Sequence, residues 1–240
     1  MTTKIYRAGD RGYVNHDWLQ ANYSFSFANY YNPSKVNFGA LRVLNDDVIQ
    51  GGTGFGEHPH ENMEIITIPL EGSLKHKDSM SNEWIALKTG EVQVMSAGSG
   101  IVHAERNNSS NEFINLFQIW IIPDKMNVEP AYAQKAFEPG DRINKLQTLV
   151  SSYADADEKG LKIHQDAKIS RVDIQKGMTL SYDLKTERHG VYMMVISGEI
   201  ETGEFALEKR DAIGIWDAGS FSVSGVEDAE LLFIEVPMAL

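Results

Sequence analysis

Apolar and polar residues alternate over short stretches along most of the chain. Each stretch is bounded by Gly, Asn, Asp or Ser, and the 3.6-residue period of an amphipathic helix is scarce. The runs are ALRVLND, EIITIPLEG, EVQVMSAG, FINLFQIWIIP, VYMMVISG, AIGIWDAG and LLFIEVP. Several short strands at such spacing are typical of β-sandwiches and β-barrels. The pattern therefore predicts an all-β protein.

The alternation is interrupted over residues 121–142, a segment that contains three prolines. A weak internal repeat supports a division there, because GEVQVMSAG at 90–98 aligns without gaps on DAIGIWDAG at 211–219. Chance similarity between strands followed by glycine turns is the alternative explanation. We predict a duplicated β-barrel, with domains at residues 1–130 and 131–240.

Composition narrows the partners and the chemistry. The chain has 34 acidic and 22 basic residues, a formal net charge of -12, and no basic cluster, which disfavours nucleic acid as a partner. No stretch approaches the roughly 18 apolar residues of a membrane span, and the N-terminus has no apolar leader, so the expected location is the cytoplasm. Cysteine is absent, so a metal would have to be held by His, Asp or Glu.

Two pairs of potential metal ligands show the same spacing. In an extended segment His58 and His60 lie on one face, with Pro59 on the other, although two solvated loop histidines are the simpler alternative. His103 and Glu105 repeat this spacing in SAGSGIVHAERN. If the two strands face each other, three imidazoles and a carboxylate converge. Such a nitrogen and oxygen set suits Fe(II), Mn, Ni, Cu or Zn in a site with open positions.

Sequence motifs around these residues resemble those of a known family. The first cupin motif is similar to the run Gly52, His58, His60, Glu64 and Gly72, and the second to Gly90, Gly98, His103 and Asn107. More narrowly, residues 15–79 and 94–107 resemble bacterial members of the pirin family, including those assigned quercetin 2,3-dioxygenase activity. The likeness is dense from about residue 6 to residue 125 and looser afterwards.

The resemblance implies a bicupin fold with one divalent metal in the N-terminal barrel, bound by His58, His60, His103 and Glu105. Fe(II) is the expected metal, and Cu, Mn, Ni, Co and Zn fit the same donors. The implied activity is metal-dependent opening of a flavonol ring with O2, so the expected partners are a small aromatic substrate and dioxygen. Related cupin quercetinases suggest Glu105 as the catalytic base for the substrate hydroxyl.

The carboxylate ligand has two candidates, because common cupins take it from the first motif, here Glu64, and pirins from the second. Four strand residues span roughly 13 Å, which would carry Glu64 away from a metal already bound by His60. We therefore favour Glu105 and interpret Glu64 as a strand-face or supporting residue. His76 is a candidate for a supporting hydrogen bond.

The second barrel is predicted to lack a metal site. The internal alignment puts non-ligating residues at the four equivalent positions, namely Leu184, Thr186, Ser224 and Val226. Three remaining histidines are interpreted as ordinary polar or partly buried residues, namely His16, His164 and His189.

Two questions stay open at the level of sequence. Phe27, Phe55 and Trp120 are equally compatible with a pocket for a planar substrate and with ordinary core packing. The alternative function is a metal-binding, redox-responsive regulator that acts through a protein partner. The same cupin site would also support an isomerase or hydrolase by Lewis acidity alone.

Overall fold

A computed structural model of the protein describes residues 1–155 and 159–239. The regular elements of these residues are strands, apart from two short 3-10 helices at Ala8–Asp10 and Pro139–Arg142. The strands, in chain order, are β1 (Thr2–Tyr6), β2 (Gly12–Asn15), β3 (Leu19–Tyr23), β4 (Leu41–Ile49), β5 (Gly54–His60), β6 (Glu64–Glu71), β7 (Ser73–Asp78), β8 (Ile85–Lys88), β9 (Glu91–Ser96), β10 (Ile101–Asn107), β11 (Ile114–Ile121), β12 (Ala131–Ala136), β13 (Gln147–Ser152), β14 (Leu161–Ile163), β15 (Lys168–Ile174), β16 (Thr179–Asp183), β17 (His189–Ser197), β18 (Ile200–Thr202), β19 (Phe205–Leu207), β20 (Ala212–Trp216), β21 (Ser220–Gly225) and β22 (Ala229–Pro237). The predicted all-β class is confirmed.

The first barrel combines a seven-stranded sheet with a four-stranded sheet. Strand order is β12-β9-β6-β11-β4-β3-β2 in the larger sheet and β5-β10-β7-β8 in the smaller. Leu74 and Leu87 of the smaller sheet pack against Ile49, Ile114 and Leu116 of the larger one. This apolar contact closes only part of the barrel interior, and the remaining part is lined by the polar and aromatic residues described below.

The second barrel repeats this architecture with a different interior. Its sheets have the orders β1-β20-β17-β22-β15-β13-β14 and β16-β21-β18-β19. The interior is filled with apolar side chains, among which the rings of Tyr182 and Phe233 stack at 5.1 Å between centroids. Phe221 continues the stack at 5.4 Å from Tyr182. The predicted duplication of a β-barrel is thus present in the fold.

The two seven-stranded sheets pack against each other and share a hydrophobic core, here called the inter-barrel cluster. It contains Ile66 and Phe117 from the first sheet, and Tyr192 and Leu232 from the second. Neighbouring residues of β22 alternate between this cluster and the interior of the second barrel, where Phe233 is buried. Because both faces of such a strand are covered, its sequence is nearly continuously apolar.

Two strands belong to a sheet on the other side of the predicted division into residues 1–130 and 131–240. Strand β1 pairs with β20 and therefore belongs to the sheet of the second barrel. Strand β12 pairs with β9 in the first barrel, although it follows residue 130. Each half of the chain thus contributes an edge strand to the sheet of the other half.

The two halves share local turn chemistry. Gly72 and Gly198 end equivalent apolar strands with φ angles of +79° and +82°, a conformation that glycine adopts without steric strain. No helix in the described ranges is both long and apolar enough to cross a membrane.

Candidate metal centre

Strands β5 and β10 bring the predicted ligands together. They pair in antiparallel fashion, with His58 opposite His103 and His60 opposite Ile101. His58 and His60 therefore lie in a strand, as the spacing predicts, and the alternative of two solvated loop histidines is wrong. Both side chains are half-buried, whereas His103 is 1% exposed.

The three imidazoles form a compact group. One potential ligand nitrogen from each of His58, His60 and His103 lies within 4.8 Å of the other two. The ring centroids are 4.9 Å apart for His58 and His60, and 4.4 Å apart for His58 and His103. In the described part of the chain this is the one cluster of His, Asp or Glu with such spacing.

The chemistry of these imidazoles fits a bound cation. Both ring nitrogens of His103 are buried and have no hydrogen-bond partner among the described residues. Burial, and then the neighbouring histidines, lower the pKa of His103 to about 2, while burial, and then His58, lower the pKa of His60 to about 4. The rings of His60 and His103 are therefore neutral, which is the form that binds metals. Nδ1 of His58 lies 2.8 Å from the carbonyl oxygen of Gly56, and donating this bond leaves Nε2 free to coordinate.

Glu105 lies in the wall of the same cavity but outside the three-histidine group. Its carboxylate accepts hydrogen bonds from Nε2 of Gln118, at 3.1 Å, and from the hydroxyl of Thr67, at 3.4 Å. Burial raises the pKa of Glu105 to about 7, while these two bonds lower it. The structure therefore places this predicted ligand beside the histidines, held by two neutral donors.

The alternative carboxylate, Glu64, faces away from the cavity. Its neighbour Ile65 lines the cavity, and the Glu64 side chain projects to the other face of β6, where Ser96 donates a hydrogen bond of 2.6 Å. The chain between β5 and β6 turns at Asn62, whose φ is +49°. In an uninterrupted strand, His60 and Glu64 would point to the same face. Because of this turn, they do not.

His76 supports the histidine group by packing rather than by the hydrogen bond that the sequence suggested. Its ring is fully buried, lies 5.2 Å from that of His103 between centroids, and stacks on Tyr132 at 4.9 Å. Nδ1 of His76 is 3.8 Å from a carboxylate oxygen of Asp78, and neither ring nitrogen has a hydrogen-bond partner in the described ranges.

The histidines open into a cavity of about 240 Å³. Three aromatic side chains that the sequence left undecided all line it, namely Phe27, Phe55 and Trp120. The ring of Trp120 lies 4.8 Å from that of His60 and 5.3 Å from that of Phe27, between centroids. The cavity thus has an aromatic wall beside the imidazoles.

A β-bulge brings Phe55 into this wall. Glu105 pairs with Phe55 although His103 pairs with His58, so three steps along β5 match two along β10. The extra residue reverses the alternation, and Phe55 joins the face that carries His58.

Four lining residues are absent from the sequence prediction. They are Asn45, Asp47, Ile65 and Gln118. The polar ones sit inside strands whose flanking residues are buried, Asn45 and Asp47 in VLNDDVI and Gln118 in LFQIW. A polar residue at a buried strand position is the signal that would have identified them.

In the second barrel, the positions chosen by the internal alignment are not the structural equivalents of the ligands. Ser224 pairs with Thr179, and β16 ends at Asp183, before Leu184 and Thr186. The gapless alignment of 90–98 on 211–219 agrees with the strands, since β9 begins at Glu91 and β20 at Ala212, but counting outward from it fails because the loop lengths of the two barrels differ.

Two histidines of the second half have other partners, as expected for ordinary polar residues. The ring nitrogens of His189 lie 2.7 Å from the Thr186 hydroxyl and 2.9 Å from the Asp166 carbonyl oxygen. The His164 ring stacks on Tyr153 at 4.4 Å between centroids.

Comparison with known proteins identifies the family. Residues 5–121 match the pirin family, and residues 149–236 match the family described as quercetinase C-terminal cupin domain. Quercetin 2,3-dioxygenase of Escherichia coli strain K12 is 41% identical over 233 residues, which cover 97% of this chain and 98% of that protein. A pirin-like protein of Caulobacter vibrioides is 42% identical over 93% of this chain and 95% of its own length.

A solved structure agrees along the whole chain. The bacterial pirin YhhW of Escherichia coli, in complex with nickel(II), superposes with a TM-score of 0.91 at 38% identity, covering 98% of this chain and 99% of that one. The predicted pair of cupin domains and the predicted enzyme class are confirmed by these relatives. The chain therefore belongs to the pirin family.

Proposed function

We propose that the protein is a metal-dependent dioxygenase that opens a flavonol-type aromatic ring with O2. The observation that carries this proposal is the group of three imidazoles, with their nitrogens within 4.8 Å, beside an aromatic-walled cavity. The relatives named quercetin 2,3-dioxygenase support the reaction class and a small aromatic substrate.

Four residues would hold the metal. His58, His60 and His103 offer nitrogen donors, and Glu105 offers a carboxylate from the adjoining wall. Fe(II) is the metal that we propose, and Ni, Cu, Mn, Co and Zn fit the same donors. When bound, a divalent metal supplies Lewis acidity that lowers the pKa of a coordinated substrate hydroxyl and brings the ring and O2 within reach of each other.

Glu105 is placed to take the hydroxyl proton. It lies beside the imidazoles, and Gln118 and Thr67 fix its orientation through hydrogen bonds to the carboxylate oxygens. A base held in this way receives a proton without moving far, which is the geometric requirement for general base catalysis.

The aromatic wall orients a planar substrate and excludes water. Phe27 and Trp120 meet edge to face, and Phe55 contacts Trp18 in the same way at 5.2 Å between centroids. Such edge contacts brace the rings, so that a flat ligand meets a rigid surface. Exclusion of water protects an oxidisable anion from side reactions.

The test is oxygen uptake with quercetin after reconstitution of metal-free protein with single metals. We expect uptake with at least one of Fe, Ni, Mn, Co or Cu, and elemental analysis of untagged protein to find that metal. His103→Ala should lose both the metal and the uptake, while Glu105→Gln should lower kcat at least about 100-fold. His164→Ala also removes one imidazole, but outside the cavity, and should keep both.

Two outcomes would contradict the proposal. One is an uptake no greater than that of metal-free protein with every metal offered. The other is conversion of the substrate without oxygen consumption, which would support the isomerase or hydrolase alternative instead.

A further inference from the structure

Asp47 is a buried carboxyl group in the cavity wall that no other described residue satisfies. Its side chain is 4% exposed and lines the same cavity as the three histidines. Oδ1 is buried without a hydrogen-bond partner, and no donor from the described residues bonds to either side-chain oxygen. A carboxyl group in this position is strongly unfavourable unless another molecule supplies a donor.

The neighbouring carboxylate in β4, that of Asp46, has hydrogen-bond partners within the protein. Asp46 projects from the opposite face of β4 and accepts hydrogen bonds from Arg11 at 3.1 Å, Arg210 at 2.9 Å and Asn115 at 2.9 Å. Burial, and then the charges of Asp46 and Glu105, raise the pKa of Asp47 well above its usual range. Among the described residues, Asp47 thus lacks the kind of partners that Asp46 has.

The register of β4 and β11 gives the order of these residues along the cavity wall. Trp120, which contacts His60, pairs with Val43, and Gln118, which bonds to Glu105, pairs with Asn45. Asp47 is two residues further along β4, which corresponds to roughly 7 Å of strand. It is therefore positioned for a part of a bicyclic ligand that lies further along β4 than the part beside Gln118.

Asn45 extends the polar surface towards the centre. It lies on the same face of β4 as Asp47, and its Oδ1 is also buried without a partner in the described ranges. The part of the cavity wall remote from the histidines therefore offers hydrogen-bond acceptors, while the aromatic wall offers none. Such acceptors suit a ligand that carries hydroxyl groups.

We propose that Asp47 determines substrate specificity by accepting a hydrogen bond from a phenolic hydroxyl remote from the metal-bound oxygen, so that the cavity selects polyhydroxylated aromatic ligands. The inference rests on the proposed function, since it takes the metal-bound end of the ligand to be a flavonol hydroxyl. A carboxyl group accepts this bond in either protonation state, so the selection does not require a particular charge.

The test measures binding without turnover. Metal-loaded protein is titrated under nitrogen with two probes, quercetin and 3-hydroxyflavone, which share the ring system and the metal-binding oxygens but differ in the remaining hydroxyls. Asp47→Leu should weaken quercetin binding at least about tenfold and change 3-hydroxyflavone binding by less than about twofold. Asp47→Asn keeps an acceptor oxygen and should retain most of the preference for quercetin.

Controls separate this role from a general disturbance of the cavity. Ile65→Val alters an apolar residue of the same wall and should affect both probes equally. Asp47→Ala replaces the leucine variant if the latter does not fold, and should give the same selective loss.

Equal weakening of both probes by Asp47→Leu, or no weakening of either, would overturn the inference while leaving the proposed reaction intact. Selective loss in a protein that consumes no oxygen would support the inference and reject the dioxygenase. Failure of wild-type protein to bind either flavonol would reject both.

Discussion

At the scale of single residues, two buried glutamates illustrate how orientation decides a role. Burial raises the pKa of both Glu64 and Glu105 to about 7. Glu105 faces the cavity, where a bound cation would favour its charged form. Glu64 faces the opposite side of β6, where Ser96 and the backbone amide of His164 donate to it. Its effect should therefore be on stability rather than on chemistry.

The raised pKa of Glu64 predicts a pH-dependent free energy of unfolding. The carboxyl binds its proton up to about pH 7 in the folded protein, against an ordinary pKa of 4.5, so stability falls as pH rises through this window and stays lower above it. Glu64→Gln should raise the free energy of unfolding of metal-free protein at pH 8 by about 2–3 kcal/mol and leave it unchanged near pH 4. Urea denaturation across this range checks the prediction.

The exposed Glu83 provides the control for this experiment. Glu83→Gln should follow the wild-type curve at every pH. Parallel curves for Glu64→Gln and wild type would contradict the assignment of the slope to Glu64.

At the scale of strands, local alternation predicted most elements but not their irregularities. The spacing of His58 and His60, and of His103 and Glu105, was sufficient to predict a shared face within each pair. The bulge that turns Phe55 inward could not be predicted in this way, because it depends on the register between β5 and β10. The direction of Glu64 was likewise set by the turn at Asn62.

The pairing of β5 with β10 leaves no room for a side chain at Gly54. A Cβ added there would lie 2.2 Å from the carbonyl oxygen of Glu105 and 2.5 Å from Cα of Arg106, and neither backbone atom can move without displacing β10. Gly54→Ala should therefore destabilise the protein by about 1–3 kcal/mol and weaken metal binding, because it shifts Glu105. Urea denaturation and metal titration measure the two effects.

Gly56 is the matched position on the same strand. A Cβ there would meet no atom within 4 Å, so Gly56→Ala should preserve stability and metal affinity. Equal behaviour of the two variants would show that contact of β5 with the Glu105 backbone does not position the site.

At the scale of the whole molecule, the proline-containing segment at 121–142 indicated two barrels, but nothing in it indicated how they join. Pairing of β1 with β20 unites residues more than 200 positions apart, and no local pattern reports such a contact. The hydrogen bonds of Asp46 with Arg11 and Arg210 likewise join residues that are distant in the sequence. The inter-barrel cluster joins the two seven-stranded sheets in one hydrophobic core. Each barrel therefore needs the other to bury one face of its larger sheet.

This shared core predicts that a defect in the second barrel destabilises the metal centre in the first. Phe233 is fully buried in the second barrel, and its neighbours on β22 belong to the inter-barrel cluster. Phe233→Ala should lower the free energy of unfolding by about 3–5 kcal/mol. Because the barrels share their core, unfolding followed by circular dichroism and metal release should still coincide in one transition at lower urea.

Met178 is 45% exposed in the second half, and Met178→Ala removes a side chain there without opening a cavity, so the midpoint should stay unchanged. If Phe233→Ala instead produced two transitions, with the metal retained through the first, the barrels would unfold independently. The histidines on β5 and β10 belong to the opposite barrel from Phe233. Coincident transitions therefore require that the inter-barrel cluster transmits the destabilisation caused by Phe233→Ala from one barrel to the other.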